Sequence, residues 1–168
     1  MAGPSPTRRA VLAAGAAALL PVRGRAGDAR RIEWDDLIPP GVDYAEIIGD
    51  GEMDPVNDTW KPVYDANALR LNPELDGALV KLPGYIVPLE AGLKGVTMFL
   101  LVPYVGACIH VPPPPPNQLV VVETGKPWPS TDLFDAVWVT GAMRARIRTT
   151  DIADAGYSMT ADLIEPYD

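Results

Sequence analysis

A mainly β fold, built as a single small antiparallel barrel, is what this sequence predicts, and three observations predict it. Nineteen prolines and fifteen glycines among 168 residues interrupt the chain too often for a helical bundle. Between Gly77 and Glu165, about five apolar and β-branched runs of strand length alternate with turn residues. A hydrophobic content of 48% suffices to fill one core. Five closely spaced strands, some long and kinked at glycine, fit a barrel of the oligonucleotide/oligosaccharide-binding (OB-like) type. A small β-sandwich is the alternative.

Residues 1–26 stand apart from that core. Thr7-Arg8-Arg9 precedes the run AVLAAGAAALL, which is too short to span a bilayer as a helix. Small residues at Gly24 and Ala26 precede a cleavage point ahead of Gly27. The twin arginine Arg8-Arg9, the weakly hydrophobic core and the further arginines Arg23 and Arg25 read as a twin-arginine export signal. An ordinary secretory signal is the plainer alternative, and both predict a periplasmic mature chain. No later stretch is long and apolar enough to insert in a membrane.

Removal of residues 1–26 takes away four arginines and no acids, so the net charge of −8 becomes −12. Such a chain repels nucleic acid and anionic membrane surfaces and tolerates cations. A single cysteine cannot close an internal disulfide. In an oxidising compartment its thiol must be buried, metal-bound or paired with another chain.

Residues 27–75 read as an irregular wrapping segment, and 76–168 as the barrel-like core. Trp34, Leu37 and Ile38 share one face of a single helical turn that Pro39-Pro40 ends, so Trp34 is expected to anchor the segment. Asp43 to Ile48 reads as one or two helical turns, capped by Asp43 and stopped at Gly49. Residues 50–73 read as loop. Asp50, Glu52, Asp54 and Asp58 cluster there without the glycine and terminal glutamate of a calcium loop, which points to a solvated surface.

In the core, 77–89 is a strand with a bulge or edge at Pro83-Gly84. The continuous apolar run 96–102 is a strand covered on both faces. Residues 119–123 form a third strand, followed by a loop over 126–135. A long strand over 136–148 is interrupted at Gly141, and 156–165 is a half-buried last strand.

The chemistry concentrates in one place. Cys108 and His110, the sole cysteine and sole histidine, lie two residues apart between the apolar run and five prolines, Pro112 to Pro116. In extended backbone, i and i+2 side chains share a face with Cα atoms about 6.5–7 Å apart. Thiolate plus imidazole suits zinc or copper and suits calcium or magnesium poorly. Two ligands fall short of the four that a structural zinc site requires, so the rest must be carboxylates, water, a methionine such as Met143 or Met159, or ligands from another molecule.

The stretch LLVPYVGACIHVPPPPPNQ at 100–118, with LPGYIVPL at 82–89 and WDDLIP at 34–39, resembles an exported bacterial family catalogued as domain of unknown function 3299. The resemblance spans nearly all of the chain beyond the leader. It implies an exported, periplasmic protein, in a genetic context of ABC-type transport and metal handling. It carries over no activity.

The leading expectation is therefore a periplasmic protein that binds zinc or copper through Cys108 and His110. A periplasmic or membrane transport protein is its expected partner. One alternative makes both residues part of the core and places function on an exposed apolar surface, with Tyr104, Pro112–Pro116 and Trp128 as candidates. A second makes Cys108 a nucleophile and His110 its base, with Asn117 or Asp135 orienting the imidazole.

Overall fold

The computed structural model describes residues 28–55, 59–107, 113–129 and 132–167. The expected leader, with Arg8, Arg9 and Ala26, lies outside them. The strands are β1 (Arg30–Arg31), β2 (Ile47–Asp54), β3 (Thr59–Tyr64), β4 (Leu79–Gly92), β5 (Gly95–Val102), β6 (Val120–Trp128), β7 (Ala136–Thr149) and β8 (Asp154–Pro166).

Strands β4 to β8 close a barrel in the order β4-β5-β6-β8-β7, with β7 returning to β4. Numbered within the barrel this is 1-2-3-5-4-1, the strand order of an OB-type fold. One feature departs from an all-antiparallel barrel. β6 and β8 run parallel, Val120 facing Tyr157 and Thr124 facing Ala161, whereas the other neighbours are antiparallel. The barrel is therefore mixed. Placing the fifth strand between the third and the fourth forces that one parallel pairing.

Strand β4 explains the Pro83-Gly84 break. Residues 79–85 pair with β7, and 85–92 pair with β5, so the strand changes neighbours at Tyr85. A Cβ on Gly84 would lie 2.8 Å from both the Leu101 side chain and the Val102 carbonyl. Only glycine allows that approach where the sheet bends into a barrel.

Alternation along the strands builds two apolar clusters. Phe99 and Leu101 of β5 face the interior with Leu82, Ile86, Val120, Val122, Val139 and Tyr157. Leu100 and Val102 face the other way, with Val87, Val121, Leu119, Ala107 and Ala155. This is why 96–102 carries no polar alternation: both faces are covered.

The segment before the barrel is better ordered than an irregular wrap. Trp34–Leu37 forms a 3-10 turn whose Leu37 is fully buried, as its spacing predicts. The expected helix over 43–48 is not formed. Residues 47–54 instead pair antiparallel with 59–64, Ile47 facing Tyr64 and Met53 facing Trp60, as a two-stranded ribbon separate from the barrel sheet. Gly49 and Gly51 sit where its register shifts, and a Cβ on Gly51 would meet the Lys61 carbonyl at 2.1 Å. Two glycines this close favour a bulged ribbon over a helix.

Trp34 is the anchor the sequence suggests. Its indole Nε1 donates to the Pro83 carbonyl at 2.9 Å, at the bend of β4. Trp34→Phe removes that bond and part of the packing. It is expected to lower unfolding free energy by about 1–2 kcal/mol in urea titration. A change under about 0.3 kcal/mol would show that the turn is not seated on the barrel.

Among the described residues, no helix is long and apolar enough to cross a membrane.

Candidate functional site

The connection from β5 to β6 carries the Cys-x-His pair. Cys108 and His110 themselves lie outside the described residues, but both ends of their segment are placed. On one side Ala107 is fully buried in the outer cluster, against the face that Leu100, Val102 and Val121 present. On the other side the Pro113 carbonyl accepts a hydrogen bond from the Tyr64 hydroxyl of β3. Pro114 and Pro115 are buried, and the proline run ends in a 3-10 turn, Pro116–Gln118. The proline run is therefore packed against the protein, where a free ligand for a proline-reading domain would be exposed.

Two amides lock this exit in place. Asn117 Nδ2 donates to the carbonyls of Asn67 and Arg70, at 3.0 and 3.2 Å. Gln118 Nε2 donates to the Trp34 carbonyl at 3.1 Å. Each bond joins the proline exit to the segment ahead of the barrel. Asn117 Oδ1 is buried and has no hydrogen-bond partner among the described residues.

Beside the proline run lies a small cleft of about 90 Å³, walled by Trp60, Pro62, Tyr64, Pro113, Pro114, Pro116 and Ile152. Lys61 and Asp154 bring the charges to its rim. Its described lining is apolar, with one carboxylate and one ammonium, and has room only for a small group or an ion. Among the described residues no three His, Cys, Asp or Glu side chains converge.

The other residues singled out from the sequence fall elsewhere. Met143 and Met159 face each other across β7 and β8 in the barrel interior, with 0% and 2% exposure. They pack with Tyr157 and Val139 in a cluster distinct from that of Ala107, as ordinary core thioethers do. This placement gives no support to either as a completing metal ligand. Asp135 accepts from Trp128 Nε1 at 2.8 Å, which engages it as a local brace. Trp128 is accordingly half-buried, while Tyr104 and Val105 are exposed, at 40% and 60%.

A barrel of this order usually binds its ligand on the outer face of its second and third strands, flanked by the 1–2 and 4–5 loops. Here those strands are β5 and β6. Their outer face is covered by Ala107, Leu119 and Ala155, and by Ile152 and Ala153 of the β7–β8 turn. The usual ligand face is occupied by the chain itself, and the connection that carries Cys108 and His110 in sequence leaves that face at Ala107.

A family model described as protein of unknown function (DUF3299) matches residues 34–166. The chain belongs to the DUF3299 family. The crystal structure of a DUF3299 family protein from Pseudomonas aeruginosa PAO1 is similar to it, at 39% identity and a TM-score of 0.66. The match covers 83% of this chain and 97% of that one. No curated protein matches the chain. The DUF3299 match runs from the Trp34 anchor to the end of β8, so it takes in the segment before the barrel together with the barrel. That extent agrees with the amide bonds between the two parts.

Proposed function

We propose that this DUF3299 protein is an exported handler of a transition metal, zinc or copper, with Cys108 thiolate and His110 imidazole as the protein's ligands. One observation carries the reading: the chain's sole thiol and sole imidazole sit two residues apart on a connection that begins buried against the barrel at Ala107 and ends bonded to the β2–β3 ribbon at Pro113. The donor pair is borderline-to-soft, which selects these metals over calcium and magnesium. With two protein ligands the site is open and exchangeable, as delivery to a transport partner requires. Asp154, which lines the cleft beside the proline run, is the carboxylate to vary alongside them.

A second reading has its own observation. Ile48, Met53 and Val63 of the β2–β3 ribbon are 66%, 64% and 49% exposed, a concentration of apolar surface that suits a protein partner. The two readings are compatible, since a carrier must dock where it unloads.

The test is metal content and affinity. Protein purified under reducing conditions should bind zinc or copper at one equivalent, and Cys108→Ser/His110→Ala should lose at least about 100-fold in affinity. Equal metal content in wild type and double variant, measured by inductively coupled plasma spectrometry after dialysis, would sink the proposal.

A further inference from the structure

Fourteen lysines and arginines are spread over the whole acidic chain, yet three of them fall within five residues, Arg144, Arg146 and Arg148 on β7. Alternation on a strand gives such i, i+2, i+4 positions a common face. The β7–β8 ladder then gains one residue on β7. Ala145 faces Tyr157, and Arg148 faces Ala155, so three steps on β7 match two on β8. A bulge of this kind re-aims side chains and is frequent beside binding sites. Here it falls in the middle of the arginine run.

The three guanidinia differ in their engagements. Arg148 is neutralised by Glu123, Nη1 to Oε1 at 2.5 Å, and its Nη2 also approaches the Met98 sulfur at 3.4 Å. Arg144 and Arg146 are exposed and form no ion pair among the described residues. They line an open groove of about 690 Å³ together with Ile147, Asp76 and Ser158. Asp76, the acid in that groove, accepts a bond from the Ala145 N–H at 3.2 Å, which fixes one carboxylate oxygen on the backbone. Ser158 lies directly opposite Arg144 on β8 and brings a hydroxyl to the same groove.

Two guanidinia with no ion pair among the described residues, against the single Asp76 carboxylate, leave this groove net positive on a chain of net charge −8. Arginine presents a planar fork of donors that matches a phosphate or carboxylate oxygen pair. We infer that this groove is a binding site for a small phosphate-bearing anion, held by Arg144 and Arg146 with Ser158 as a third donor. The net charge argues for a soluble ligand. An acidic protein is repelled from anionic bilayers and from nucleic acid, whereas a small anion meets only the local field of the groove. The groove shares no described lining residue with the cleft beside the proline run, and its test stands or falls independently of the metal reading.

Calorimetric titration of the purified chain with inorganic phosphate at low ionic strength tests it. Saturable binding is expected, weakening as salt is raised. Arg144→Gln or Arg146→Gln should each weaken it about tenfold, and the double variant about 100-fold. Lys94→Gln, in the β4–β5 turn, should leave it unchanged. Both arginines are exposed, so unaltered near-ultraviolet circular dichroism certifies the fold of the variants. Absence of saturable binding, or equal binding by the double variant, overturns the proposal. A parallel arm uses vesicles of phosphatidylglycerol and of phosphatidylcholine. Retention on phosphatidylglycerol alone, unaffected by free phosphate, would overturn the soluble-ligand assignment, and no retention supports it.

Discussion

Gly141→Ala should be strongly damaging, because the methyl enters the middle of the barrel sheet. Gly141 lies on β7 between two neighbours, facing Val80 on β4 and Ala161 on β8. A Cβ at this position would stand 2.2 Å from the Thr160 carbonyl oxygen and 3.0 Å from the Met159 side chain. The first of those is backbone in the middle of a ladder, so the strands must part for the methyl to enter. Overpacking usually costs about 1–3 kcal/mol, and here no side chain can swing away. A loss of at least about 3 kcal/mol is expected, equivalent to a fall in Tm of roughly 10 °C for a domain of this size. Gly125→Ala is the control. Nothing lies within 4 Å of a Cβ there, and its effect should stay within about 0.5 kcal/mol. Urea unfolding of both variants decides the matter, and a Gly141→Ala loss under 1 kcal/mol would mean that β7 and β8 are farther apart than described.

Gly141 also shows how far the fold could be read from residues. Its position as an interruption in an apolar strand was visible, and so were the strands themselves, because a barrel core imposes long apolar runs of strand length. β5 is the clearest case: 96–102 has no polar alternation because both its faces are covered. The parallel pairing of β6 and β8 was not visible. Each strand's pattern is the same whichever direction its neighbour runs, and the choice is made by the path of the connections. β6 also continues through Pro127 to Trp128, past the loop expected from two prolines. After Glu123 its pairing to β5 is reduced to Val96 with Trp128, beyond a register shift, so a missing amide is tolerated.

The β2–β3 ribbon departs from the expected helix and loop for a physical reason. Asp43 as a cap and Gly49 as a stop suggest a short helix, and Pro55 and Pro62 look like loop markers. The ribbon is decided by pairing across the turn, with Trp60 Nε1 donating to the Asp50 carbonyl at 2.6 Å, which no single segment reveals. The candidate chemistry was legible as composition, since one thiol beside one imidazole needs no fold to be noticed. What surrounds the connection was not. That Asn117 braces the segment ahead of the barrel, and that Met143 and Met159 sit in the core, are consequences of convergence in space. The arginine run on β7 was visible as alternation, but its meaning depends on Glu123 reaching Arg148 alone, which only the strand order supplies.

Tyr157→Phe tests the brace between that leading segment and the barrel. Tyr157 is fully buried, and its hydroxyl donates to the Leu37 carbonyl at 2.5 Å and accepts from the Asn72 N–H at 2.6 Å. Asn72 in turn donates through Nδ2 to the Asp36 carbonyl at 2.9 Å and accepts from the Glu74 N–H. Phenylalanine keeps the ring packing and strands one buried carbonyl and one buried amide, at about 1–3 kcal/mol each. The expected loss is about 2–4 kcal/mol, or roughly 6–15 °C in Tm.

The same hydroxyl predicts an alkaline weakness. Burial pushes the Tyr157 pKa up to about 12, partly offset by the bond from the Asn72 amide, whereas an unfolded tyrosine titrates near 10. Below pH 10 both states keep the proton and the stabilisation is complete. Between pH 10 and 12 the unfolded chain releases its proton and the folded chain retains it. Stability therefore falls with rising pH, by about 1.4 kcal/mol per unit from this group. Tyr44, half exposed, is shifted in the same direction by partial desolvation and then by Tyr104 and Asp35, and being present in both proteins it drops out of the comparison. Urea midpoints at pH 9 and pH 11.5 should show the variant less stable at the lower pH and declining less steeply toward the higher. Equal slopes in the two proteins would mean that the Tyr157 hydroxyl reaches water, and that the leading segment is held to the barrel by its amide bonds and packing alone.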